Sequence, residues 1–141
     1  MTEYSADVVV LGGGSGGYAA ALRLAELGKD VVLVEKDKVG GTCLHRGCIP
    51  TKALLHAGEV ADAARGAADI GVDVTFSGID PARVRAYREG IVAKKFKGLE
   101  GLISARGIRV VHGEGVLAAG PTVRVGDDVY RGTDVILATG S

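Results

Sequence analysis

The chain carries no excess of either charge. Seventeen Lys and Arg stand against seventeen Asp and Glu, so no long-range field draws it to nucleic acid or to an anionic membrane. It has no run of 18 apolar residues, and Met1 to Ala6 lacks the apolar stretch of a signal peptide. A soluble, cytoplasmic protein is therefore expected. Two cysteines are too few for a secreted disulfide framework, and no second cysteine pair exists to build a zinc site with His45, His56 or His112; no metal is expected. Only three residues are proline and six aromatic, and neither an internal repeat nor a low-complexity linker is found. The 23 glycines lack the period of three that collagen needs. What remains is a 141-residue chain that is 47% hydrophobic, mostly through Ala, Val, Leu and Ile. That is too apolar for disorder and of the right size for one domain with one core.

Asp7-Val-Val-Val-Leu11 reads as a parallel strand buried on both faces. Glycines 12, 13, 14, 16 and 17 follow directly. From Tyr18 to Leu27 apolar residues recur at helical spacing, Gly28 suits a left-handed helix end, and Val31 to Val34 gives a second strand closed by Glu35. Strand, glycine turn, helix and strand form a right-handed βαβ unit.

Further on, a helix is expected from about Thr51 to Ala68, with Pro50 suited to its first turn. A short edge strand is expected at residues 72–76. A long helix should open at Asp80-Pro81 and reach about Arg106, interrupted by Gly90, Gly98 and Gly101. Strands are expected at Ile108 to His112 and Asp134 to Ala138, with residues 115–131 between them as a small antiparallel β-meander. The fold class is α/β: a Rossmann-like domain with a parallel sheet and a meander crossover.

Gly12-x-Gly14-x-x-Gly17 has the dinucleotide-binding spacing in the context that motif needs, after a strand and before a helix. The first glycine permits the tight turn, the second lets a pyrophosphate approach the backbone, and the third lets helix and strand pack closely. The helix start offers unpaired N–H groups to phosphate. Glu35 lies where a carboxylate accepts ribose hydroxyls and disfavours a 2′-phosphate, which points to FAD or NAD.

Cys43 and Cys48 stand five residues apart. In a regular helix their Cα atoms would be about 9 Å apart, beyond the roughly 4.4–6.8 Å that a disulfide spans. If the pair closes, the segment is not ordinary helix, and Gly47 permits the distortion. Two unrelated thiols, or a fortuitous bridge, stay open at this point beside a redox-active pair.

The run Gly41-Thr42-Cys43-Leu44-His45-Arg46-Gly47-Cys48-Ile49-Pro50-Thr51-Lys52, downstream of the glycine turn and Glu35, resembles the flavin-disulfide reductases, the class I pyridine nucleotide-disulfide oxidoreductases. Within them it is most similar to the dihydrolipoamide dehydrogenase branch, and glutathione, mycothione and mercuric reductases share the frame. The likeness runs through His112-Gly113-Glu114-Gly115 to Ala138-Thr139-Gly140-Ser141 and so covers essentially the whole chain.

The resemblance implies that residues 1–141 are the amino-terminal FAD-binding domain, with the NAD-binding and dimerisation domains outside it. It implies Cys43 as the interchange thiol, Cys48 as the thiol against the flavin, and Lys52 as the cation beside them. Gly12, Gly13, Gly14, Gly16, Gly17, Glu35 and Lys36 would hold the ADP half of a tightly bound, non-covalent FAD. Gly41, Thr42, Cys43, Cys48, Lys52, Gly115, Thr139, Gly140 and Ser141 would complete the cofactor site. The implied activity is a two-electron relay from protein-bound dihydrolipoamide, through a Cys43–Cys48 disulfide and FAD, to NAD+. The implied partners are the lipoyl-bearing acyltransferase of 2-oxoacid dehydrogenase complexes and a second copy of the chain. The base for thiol exchange would come from the other subunit, so the 141 residues alone would not turn over; taken alone, they could be a non-catalytic FAD-binding module. His45-Arg46 departs from the Asn and apolar residue common between these cysteines and adds charge near them.

Eight basic and two acidic residues lie between Arg83 and Arg109, a pattern read as the solvated face of the long helix rather than a nucleic-acid patch. His56 is expected to be solvated, His112 structural, and Tyr18 packed rather than stacked on a cofactor.

Overall fold

Strands with no polar residue on either face must be covered on both sides, and this requirement sets the architecture. The structure, a computed structural model, describes residues 2–141. Strand β1 (Glu3–Ser5) leads into β2 (Val8–Leu11), helix α1 (Ser15–Glu26) and β3 (Val31–Glu35). Two helices follow, α2 (Gly41–His45) and α3 (Cys48–Gly66), with a 3-10 turn at Ala67–Ile70, then α4 (Pro81–Ala105). The chain continues through β4 (Arg109–His112), the meander β5 (Gly115–Ala118), β6 (Thr122–Val125) and β7 (Asp128–Arg131), and β8 (Asp134–Leu137).

One sheet is wholly parallel in the order β4-β3-β2-β8, and the other, β1-β7-β6-β5, is antiparallel in the meander with β1 added in parallel to β7. Alternation along β2 and β3 divides their side chains between two layers. Val8, Val10, Val31 and Leu33 meet Ala21 of α1 and Ile103 of α4, with Tyr18 packed alongside. Val9, Leu11, Val32 and Val34 meet Val123 and Tyr130 of the meander. The parallel sheet is thus the middle of three layers, which is why its strands read as unbroken apolar runs.

Three expectations need correcting. Residues 72–76 form no strand: the stretch is mostly exposed and pairs with no sheet, so its alternation has no ladder to join. Helix α3 begins at Cys48 rather than Thr51, which puts the second cysteine in its first turn. The three glycines do not interrupt α4, whose start is fixed by Asp80 Oδ1 accepting from the N–H groups of Ala82 and Arg83 at 2.9 and 3.2 Å. The basic residues of α4 are mainly exposed; Arg106 beyond it pairs with Glu26 at 3.0 Å. No helix among the described residues is long and apolar enough to cross a membrane.

Candidate functional site

The turn after β2 is shaped by contacts only glycine allows. Gly12 has φ +103°, and a Cβ there would collide with the Ala138 carbonyl of the neighbouring β8 end. A Cβ on Gly17 would drive into the Gly12 carbonyl, so α1 sits directly against the turn. Gly14 differs: nothing lies within 4 Å of where its Cβ would be, and it lines an open cavity. It is also the N-cap of α1, which has no capping side chain and no acid in its first turn. The first N–H groups of α1 therefore have no side-chain acceptor and keep the positive end of the helix unopposed.

Glu35 ends β3 beside this turn. Its Oε2 accepts from the Gly13 N–H at 2.7 Å and its Oε1 from the Asp37 N–H at 2.8 Å. Two backbone donors fix the carboxylate at the rim while leaving lone pairs for a further donor. Gly40 donates to the Gly13 carbonyl at 2.8 Å, and Gly41, at φ +60°, approaches so closely that a Cβ would lie 2.7 Å from the Gly14 Cα. The start of α2 is thereby pressed onto the glycine turn.

Between these elements lies a cavity of about 510 Å³, within the size range of small-molecule sites. Of the residues expected at a cofactor, it is lined by Gly12, Gly14, Glu35, Lys36, Gly41, Thr42, Gly115, Thr139, Gly140 and Ser141. Gly13, Gly16, Gly17, Cys43, Cys48 and Lys52 do not line it. Gly13 lies behind Glu35 and Gly17 inside the helix–turn contact, while the cysteines and Lys52 continue along α2 and α3 past Thr42. Sequence reasoning left out Asp37, Lys38, Gly113 and Glu114, which also line the cavity; their adjacency to Glu35 and Gly115 was the available signal.

The cysteine segment is two helices broken at Arg46-Gly47, not one. Gly47, at φ −123° and ψ −108°, turns the chain so that Cys48 opens α3. Both cysteines are free thiols, Cys43 half-buried and Cys48 exposed. Hydrogen bonding with the Cys43 thiol, some desolvation and the charge of a Cys43 thiolate hold the Cys48 thiol above its ordinary pKa, while its own backbone and the Lys52 ammonium pull it down. The intervening residues have partners of their own: His45 Nε2 lies 2.9 Å from the Val39 carbonyl, Arg46 pairs with Asp37 at 2.8 Å, and both line the cavity.

A crevice at the carboxyl ends of parallel strands, opening at a glycine turn and walled in part by the helix that bears Cys43, defines a dinucleotide-binding domain. The family model described as pyridine nucleotide-disulphide oxidoreductase matches residues 6–141, and the chain belongs to that family. Its curated relatives include dihydrolipoyl dehydrogenase 2 of Haloarcula marismortui, 41% identical over 96% of this chain and 30% of that protein. The dihydrolipoyl dehydrogenase of Staphylococcus aureus is 38% identical over the same shares, and one from Bacillus subtilis is 45% identical over 86% of this chain and 25% of its own length. The chain thus spans less than a third of the relatives it matches.

Proposed function

We propose that these residues form the FAD-binding, dithiol-bearing part of a dihydrolipoyl dehydrogenase that oxidises protein-bound dihydrolipoamide at the expense of NAD+. The observation that carries the reading is one continuous wall: glycine turn, fixed Glu35 carboxylate and the start of α2 line a single cavity, and α2 bears the first cysteine. Fit to FAD rests on this chain's own groups. The α1 N-terminus with Gly14 open beside it suits a pyrophosphate; Glu35 suits ribose hydroxyls; Gly115, Thr139, Gly140 and Ser141 line the same cavity. When bound, FAD supplies the two-electron carrier that a thiol pair lacks.

The protein's part is thiol exchange. In the oxidised state a substrate thiolate attacks the Cys43 sulfur, breaking the Cys43–Cys48 bond and leaving Cys48 as the departing thiolate. Lys52 favours that thiolate electrostatically, as the direction of its effect on Cys48 requires. NAD+ binding, the exchange base, the pairing of two copies and the contact with a lipoyl-bearing acyltransferase are assigned to the rest of such an enzyme, in the cytoplasm.

The test is FAD titration of the flavin-free protein by fluorescence quenching. Glu35→Ala is expected to weaken binding about tenfold to a hundredfold, the range for hydrogen bonds to a charged group, and Glu35→Gln less. Equal affinity in all three forms would remove Glu35 from the site and undo the reading.

A further inference from the structure

The two residues between the cysteine-bearing helices make contacts that thiol exchange itself does not call for. A carbonyl only accepts, so the 2.9 Å contact of His45 Nε2 with the Val39 oxygen places the hydrogen on Nε2. The same ring meets Phe96 of α4 edge to face, centroids 4.9 Å apart. Arg46 reaches Asp37 at 2.8 Å, and the Asp37 N–H is bonded to Glu35 Oε1 at 2.8 Å. Cys43 lies two residues before His45, and Cys48 two residues after Arg46. The segment 37–39 is thus gripped at one end by Glu35, the carboxylate of the cavity, and at two points by the cysteine turn.

We propose that His45 and Arg46 are positioning residues that couple the cavity to the dithiol, so that a nucleotide held at Glu35 favours closure of the Cys43–Cys48 disulfide and closure in turn tightens the nucleotide. The inference rests on the reading of the site given above. A ligand bonded to Glu35 and packed on the cavity-lining Asp37 and Lys38 restricts segment 37–39, and with it the turn, through both contacts. A turn already restricted gives up less freedom when the sulfurs join. Reciprocity follows from linkage, whatever the size of the effect.

ADP is the suitable probe, because it fills the ribose and pyrophosphate end without bringing a flavin against the sulfurs. In glutathione buffers the protein dithiol gives two electrons and two protons to one glutathione disulfide, leaving the protein disulfide and two glutathione thiols. An exposed ion pair and one half-buried hydrogen bond set the scale. Saturating ADP is expected to shift this equilibrium about fivefold toward the protein disulfide, or about 20 mV for a two-electron couple, and ADP to bind the oxidised protein tighter by the same factor. The double variant His45→Ala/Arg46→Ala, compared at ADP concentrations that saturate it, should lose the shift while still forming the disulfide.

Asp37→Arg alone should weaken the shift, and adding Arg46→Asp should bring it back, which a merely structural role would not do; this comparison also serves if the double alanine variant does not fold. ADP that binds without moving the wild-type equilibrium, a shift that survives in the alanine variant, or a shift left undiminished by Asp37→Arg would overturn the coupling and leave the site reading standing. ADP that does not bind, or cysteines that do not close, would overturn both.

Discussion

Cys48 is the residue whose chemistry is most exposed to experiment. Its thiol is held above the ordinary value first by the hydrogen bond to Cys43, so its thiolate gains population only as pH rises past that elevated point. Since alkylation needs the thiolate, iodoacetamide labelling of Cys48, followed by peptide mapping, should reach its half-maximal rate at a higher pH than a free thiol. Cys43→Ala removes the largest raising cause and should move the midpoint down. Lys52→Met removes a lowering one and should move it up. Midpoints that stay put in both variants would mean the sulfurs and the ammonium do not act on each other as described. Residues of this kind were legible in the sequence because the chemistry demands fixed types at fixed spacing: glycines where a Cβ has no room, an acid at a strand end, two thiols in one turn. His45 and Arg46 were legible only as extra charge. Which neighbour a flexible side chain engages depends on the segment 37–39 folding back beside it, and no local pattern encodes that.

At the level of elements, α4 shows propensity overruled by packing. Gly90, Gly98 and Gly101 each weaken a helix, yet α4 runs 25 residues because Ile103 and its neighbours are anchored on the sheet and Asp80 caps the start. Gly90 is exposed and has nothing within 4 Å of its Cβ position, so Gly90→Ala should stabilise the protein by about 1 kcal/mol. A urea midpoint unchanged or lowered would mean that the position is constrained in some way other than helix propensity. The opposite error concerned residues 72–76, where alternation alone suggested a strand. Alternation is necessary for a half-buried strand, but pairing requires a free edge within reach. Strand β1 illustrates the converse: three mostly exposed residues with no pattern to notice become a strand because residues 129–131 offer them a partner.

Across the whole molecule the parallel sheet serves two cores at once, one against the helices and one against the meander. Val123 is fully buried in the second of these, against β2 and β3. Val123→Ala should cost about 2 kcal/mol and lower the denaturation midpoint of helix and meander signals together, with the slope unchanged. Separate transitions for far-ultraviolet dichroism and for fluorescence of the Tyr4–Tyr130 stack would mean that the two layers fold independently.

The pairing of β1 with β7 and of β2 with β8 has a consequence for how the protein comes into being. Glu3 meets Val129 and Val8 meets Asp134, contacts that span nearly the whole chain. During synthesis β2, with its four buried residues, waits for one flank until the helices and strands that separate it from β8 have been made. Closing loops of this size comes late and slowly. Until then Val8 to Leu11 is an apolar strand with an open side, the kind of segment that chaperones bind and that pairs wrongly with other nascent chains.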